Sequence, residues 1–284
     1  MEKQFSRTEV AGVSLPRFII GSNWMLGWSH KTPSMDKQIK ERFANKEAFF
    51  PIFEEFMKYG IDAVMGLPSQ AEILGDAVKY AEDKLGKAIT LIDTPIIDVN
   101  DNADSRRDAE AAIKKSAESG SKFCLIHHSS CEQLVNRSKW TIDRIDDYTK
   151  MIRDAGMIPG LTAHMPEIVS FSDLNEYDVE TYVQIFNSVG FLMQVEVEHI
   201  GRLINEAKKP VMTIKSMAAG RITPYVGLNF VWNTIRDCDM VTVGVTSAHE
   251  AAEDVEISFA ALERRYPNLE KRSSPNKNQA AFGK

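Results

Sequence analysis

Short apolar runs alternate with longer amphipathic segments eight times along the chain, the pattern of a repeated strand–helix unit. The apolar runs at 18–23, 62–66, 89–94, 123–127, 158–162, 193–198, 211–215 and 240–244 have the length of buried parallel strands. Between them, apolar residues recur at helical spacing over 47–59, 72–85, 107–119, 142–155 and 249–264. Gly60, Gly86, Gly120, Gly156 and Gly190 precede strands, where a helix ends on a residue that tolerates left-handed backbone. Eight such units without a break in composition predict one closed (β/α)8 TIM barrel over residues 1–265. A doubly wound open sheet is the rival, but the turn Gly21-Ser-Asn-Trp-Met-Leu-Gly27 is not a GxGxxG fingerprint. Val10-Ala-Gly-Val-Ser14 predicts a short N-terminal hairpin plugging the barrel floor, and 266–284 reads as a polar, aperiodic tail.

Composition narrows the partners. A net charge of −6 and no cluster of Lys and Arg argue against nucleic acid. The N-terminus has no apolar run, and no stretch reaches the roughly 18 apolar residues of a membrane span. A secretory signal and a membrane partner are therefore not expected. Three cysteines, none in CxxC spacing, read as reduced thiols of a cytoplasmic protein and exclude zinc-finger chemistry. What remains is a small-molecule substrate, with the oligomeric state open.

Barrels of this class carry their chemistry just past the C-terminal ends of the strands. Those positions offer Asn23, Trp24 and His30 in the first unit, Met65 in the second and Asp93 in the third. His127, His128, Ser129 and Ser130 follow in the fourth, His164 in the fifth and Glu196, Glu198 and His199 in the sixth. Lys215 closes the seventh, and Thr246, Ser247 and His249 follow the eighth. All six histidines fall on this side.

In the sixth predicted strand Gln194, Glu196 and Glu198 alternate with Val195 and Val197, which predicts a polar face turned into the barrel. An inward carboxylate needs a cation. Lys215, expected to share the inward face with Thr213, supplies one as a structural ion pair. Alternatively, Lys215 is a base or Schiff-base nucleophile with Glu196 as its partner and His127 as proton donor. A metal reading draws His127 or His128, His164 and Glu196 or Glu198 around Zn²⁺, Mn²⁺ or Fe²⁺. The loop with Gly220 and Arg221, and the helix start at Thr246 and Ser247, suit either an anion or ordinary capping and packing. Trp24, Met25, Trp28 and Met65 are either an apolar pocket wall or core.

Several motifs, in order, resemble landmarks of the aldo/keto reductases. They are Gly12-Val-Ser-Leu-Pro-Arg-Phe-Ile-Ile-Gly-Ser22, Glu72-Ile-Leu-Gly-Asp-Ala-Val-Lys79 and Leu125-Ile-His-His128. Gly160-Leu-Thr-Ala-His-Met-Pro-Glu167 and Val243-Gly-Val-Thr-Ser-Ala-His-Glu-Ala-Ala-Glu-Asp254 complete the set. The resemblance implies the same barrel with an N-terminal hairpin. It also implies a tetrad of Asp, Tyr, Lys and His, of which only His127 matches. Met65, Gln70 and Asp93 stand at the other three places. Without the tyrosine and its lysine, carbonyl reduction lacks its proton donor. Glu250, Glu253 and Asp254 lie where the family binds the NADPH 2′-phosphate, which argues against NADPH more than against NADH.

Three functions follow from these residues. One is a lyase, isomerase or hydrolase acting on a small polar carbonyl or sugar-like metabolite, with or without a divalent metal. The others are a divergent NAD(H)-dependent oxidoreductase and a barrel that binds a metabolite or protein without catalysis.

Overall fold

In the computed structural model, which describes residues 3–269, eight parallel strands close into a barrel. A hairpin comes first, from β1 (Arg7–Val10) and β2 (Val13–Pro16), paired in register from Arg7 with Pro16 to Val10 with Val13. The barrel strands are β3 (Phe18–Gly21), β4 (Ala63–Gly66), β5 (Thr90–Asp93) and β6 (Phe123–Ile126). A two-stranded excursion, β7 (Val135–Asn136) with β8 (Thr141–Ile142), precedes β9 (Ile158–Ala163). The barrel then closes through β10 (Thr181–Ile185), β11 (Val211–Ile214) and β12 (Met240–Gly244), which pairs with β3.

The outer layer holds α1 (Pro33–Arg42), α2 (Phe50–Lys58), α3 (Glu72–Leu85) and α4 (Ala103–Glu118). The one-turn α5 (His128–Cys131) follows, then α6 (Ile145–Asp154), α7 (Pro166–Asn175), α8 (Val197–Glu206), α9 (Pro224–Thr234) and α10 (Ala248–Leu262). Gly60, Gly86, Gly120 and Gly156 take left-handed backbone at helix ends, whereas Gly190 sits in the loop after β10. Asn102 caps α4 by accepting the Ser105 N–H. No described helix is long and apolar enough to cross a membrane. From residue 270 onward, the polar tail lies outside the described residues.

Two apolar cores result from strand alternation. Residues of one parity (Ile19, Ala63, Met65, Ile92, Phe123, Leu125, Ile158, Val183, Met212 and Met240) fill the barrel and meet Val10 and Leu15 of the hairpin. The hairpin thus plugs the floor. The other parity packs with the helices, as Phe18 does against Phe5 and Phe56. Gly66 is required where β4 crosses the start of the first loop, since a Cβ there would lie 1.9 Å from Ser22 Oγ.

The sixth strand differs from the sequence reading. Residues 193–196 form a loop, and Val197 and Glu198 open α8. The alternation there is real but belongs to a one-sided surface segment. Met193, Val195 and Val197 pack on the core, while Gln194, Glu196 and Glu198 are exposed. The true strand, β10, is buried on both faces, so Thr181 and Gln184 are enclosed along with Tyr182 and Val183. The expected inward carboxylates are therefore absent from this strand, and Glu196 and Glu198 form no ion pair with Lys215 among the described residues.

Candidate active site

Strand ends and their loops enclose a cavity of about 820 Å³ at the C-terminal mouth of the barrel. Lys215, His30, His127, His128 and His164 supply its basic and imidazole groups. Asn23, Trp24, Trp28, Met65, Gly220 and Arg221 also line it, whereas Met25 is core.

Lys215 reaches the cavity by breaking the strand pattern. Met212 and Ile214 point into the barrel, so Thr213 faces outward, and simple alternation would send Lys215 outward with it. Its left-handed backbone, φ +60°, turns the side chain toward the mouth instead. Ala218, Ala219 and Gly220 follow with φ of +50°, +52° and +71°, a concentration of left-handed residues in one functional loop. The ammonium sits 3.0 Å from His30 Nε2. Burial lowers the Lys215 amine to about 8. His30 is lowered by burial and by the neighbouring charges of Lys215 and Arg221, so its neutral ring accepts from the ammonium.

Three loops are tied together over this corner. Lys31 Nζ donates to the Gly220 carbonyl at 2.7 Å, and Arg221 donates to the His30 carbonyl at 3.4 Å. The Arg221 guanidinium also stacks 3.9 Å from the Phe191 ring centre.

Opposite lies a ladder of imidazoles. His127 continues the inward parity of Phe123 and Leu125, and His164 that of Ile158. Their rings flank His128, with centres 4.2 Å and 3.9 Å apart. His127 Nδ1 lies 2.7 Å from Ser129 Oγ and accepts the Ser129 N–H, capping α5. Burial, then the charge of His128, lowers His127 to about 4 and His164 to about 3, leaving neutral imidazoles at neutral pH.

Glu132 is a residue that the sequence reading passed over. It follows α5 four residues after His128, with Oε2 3.7 Å from His128 Nδ1. Its other oxygen accepts the backbone N–H groups of His164 at 2.5 Å and Met165 at 2.8 Å. Burial raises its carboxyl, but these bonds and His128 outweigh that, so it stays below its ordinary value. The signal available in the sequence was the i,i+4 spacing of His128 and Glu132.

The remaining expected residues stand apart. Glu196, Glu198 and His199 are exposed at the start of α8, and none of them lines the cavity. His249 is exposed at the start of α10 and also lies outside it. Ser247 caps α10 by accepting the Glu250 N–H, and Thr246 donates to Glu250 through its N–H and hydroxyl. Capping is thus what these two residues do.

The fold has solved relatives at low identity. A Brucella melitensis aldo/keto reductase matches over 93% of this chain and 99% of its own, at 12% identity and a TM-score of 0.55. A Pseudomonas aeruginosa protein assigned to the aldo-keto reductases matches over 92% and 99%, at 11% identity and 0.61. These likenesses show that the chain shares its barrel fold with them. An archaeal Rubisco from Pyrococcus horikoshii shares the barrel more loosely, over 78% of this chain and 57% of its own, at 11% identity and 0.52. No protein-family model and no curated protein matches the sequence.

Three of the four positions that the sequence resemblance assigns to a catalytic tetrad hold other side chains here. Met65 lies inside the barrel at the cavity floor. The Gln70 amide donates to the Ile96 carbonyl. Asp93 is fully buried near Ser69, Ser116 and Cys124, away from the cavity, and burial raises its carboxyl. Glu250, Glu253 and Asp254 line the far end of the cavity. A carboxylate-lined end is a poor fit for the 2′-phosphate of NADPH.

Proposed function

We propose that the protein is an enzyme acting on a small polar carbonyl or sugar-like metabolite by acid/base chemistry, as a lyase, isomerase or hydrolase. The observation that carries this reading is the Lys215 amine, lowered to about 8 beside His30 in a cavity of small-molecule size. An amine with that value is free often enough at neutral pH to take a proton next to a carbonyl or to add to the carbonyl carbon. If it adds, water must leave the carbinolamine, and that step needs a proton donor. Neutral His127, whose Nδ1 accepts the Ser129 N–H, presents Nε2–H as a hydrogen-bond donor that polarises the carbonyl oxygen, while the proton that leaves with the water comes from solvent in the cavity mouth.

Borohydride trapping with candidate aldehydes, ketones and keto acids is the test. A reduced adduct on the Lys215 peptide, absent in Lys215→Met, supports the nucleophile. Turnover without an adduct, abolished by Lys215→Met, supports the base. Unchanged turnover in Lys215→Met refutes both.

A divergent NAD(H)-dependent oxidoreductase is the second reading, supported by the fold likeness and by His127 at the family's histidine position. It predicts fluorescence quenching on titration with NADH. Absence of quenching with either dinucleotide removes it.

A further inference from the structure

We infer that His128, Glu132 and His164 form a binding site for one divalent transition-metal ion, open to the cavity. One ligand atom from each of the three lies within 4.8 Å of the others. A tetrahedral ion with bonds of ~2.0–2.1 Å sets its ligands roughly 3.4 Å apart, so modest rotation of the rings closes the set. The 3.7 Å between His128 Nδ1 and Glu132 Oε2 is too long for a hydrogen bond and close to that ligand spacing.

The carboxylate is already oriented. Two backbone N–H groups hold Glu132 Oε1, which leaves Oε2 as the free ligand atom facing the imidazoles. This is the outer-shell support that fixes carboxylate ligands at metal centres. Among the described residues the His164 ring makes no hydrogen bond that would occupy its nitrogens. His128 and His164 line the cavity while Glu132 lies behind them. An ion held from one side therefore keeps positions for water or substrate on the other, the arrangement of a catalytic rather than a structural site.

Two imidazoles and one carboxylate suit Zn²⁺, Mn²⁺ or Fe²⁺. The carboxylate expected from the sequence, Glu198, is exposed on α8 and cannot serve. Glu132 takes that place.

Binding is measured without turnover, so its outcome is separable from the role of Lys215. Protein made without a chelating tag is stripped with a chelator and titrated with Zn²⁺ and Mn²⁺ by calorimetry, and metal content is counted by mass spectrometry. One equivalent per chain is expected. His164→Ala and Glu132→Gln should each weaken binding roughly 100-fold or more, while His199→Ala leaves it unchanged. Melting with and without Zn²⁺ gives a second readout, since a ligand of the folded state raises the melting temperature of the wild type but not of folded variants. The inference is overturned if the wild-type chain takes up no metal. It is equally overturned if folded His164→Ala and Glu132→Gln bind as the wild type does, or if His199→Ala alone abolishes binding.

Discussion

If burial lowers the Lys215 amine to about 8, its chemical reactivity should show it before any substrate is known. At pH 7 about one Lys215 amine in ten would be neutral, against roughly one in 3,000 at the ordinary 10.5. Only the neutral amine reacts with an acylating reagent, so trace labelling from pH 6 to 11 reports the titration directly. The Lys215 peptide is quantified by mass spectrometry and normalised to the peptide carrying Lys114, whose side chain is 76% exposed. Half-maximal labelling of Lys215 is expected near pH 8. The same value has a consequence for stability. Between about 8 and 10.5 the unfolded chain holds a proton that the folded chain has lost, so stability contributed at this position rises with pH across that window. At pH 7 the buried amine is therefore a burden, and Lys215→Met should melt higher by ~2–4 °C while losing activity. A labelling midpoint at the ordinary lysine value would refute the reasoning, and so would a Lys215→Met chain that melts lower at pH 7.

Other perturbations test the packing and the corrected topology. Gly66→Ala places a Cβ 1.9 Å from Ser22 Oγ and should cost about 1–3 kcal/mol in urea unfolding, with Ser22→Ala recovering part of it in the double variant. Asp254 is raised well above 3.8 by burial and by Glu250 and Glu253, so the folded chain holds an extra proton above that pH and loses stability as pH rises. Asp254→Asn should accordingly melt higher at pH 7 and gain nothing near pH 3.8; an equal shift at both pH values would contradict this. Asp239 is fully buried and accepts from Arg236 and from the Val211 N–H. Asp239→Ala should cost about 3–5 kcal/mol by leaving Arg236 uncompensated, as read by denaturant midpoint. Glu196→Gln and Glu198→Gln should change stability by no more than ~0.5 kcal/mol and leave turnover intact; a loss of activity would restore them to the site.

The fold was legible because seven of the eight strands read correctly, from apolar segments ending near glycine turns, with β-branched and aromatic residues that fit a buried pleat. The exception shows what periodicity measures. Alternation at 193–198 records which side chains touch the core, and a loop laid along a surface alternates just as a strand does. In Thr181–Ile185 the burial of both faces enclosed Gln184 and Thr181, and two polar residues in five hid the strand. His127 and His164 were legible as residues just past strand ends, and strand parity turns both inward. Lys215 was expected at the site, but its direction depends on a left-handed residue that no sequence pattern marked. Glu132 needed the single turn of α5 to be recognised beyond β6, and four residues are too few for a hydrophobic period to form.

The layout of this mouth bears on how a barrel can vary its chemistry. All eight strands, or the loops that follow them, contribute residues to one cavity, so reactive groups can be supplied from different strands without moving the substrate space. At β4 and β5 the side chains serve packing: Met65 fills the barrel, the Gln70 amide just beyond β4 bonds the Ile96 backbone, and Asp93 is sealed away from the cavity. The groups that face the cavity come instead from the ends of β6, β9 and β11, with His30 arriving from the loop after β3. His127 is the one cavity residue among these that also matches the tetrad of the sequence resemblance. The hairpin, the two cores and the glycine turns keep the mouth in shape, while a few side chains at its rim set which proton moves and where.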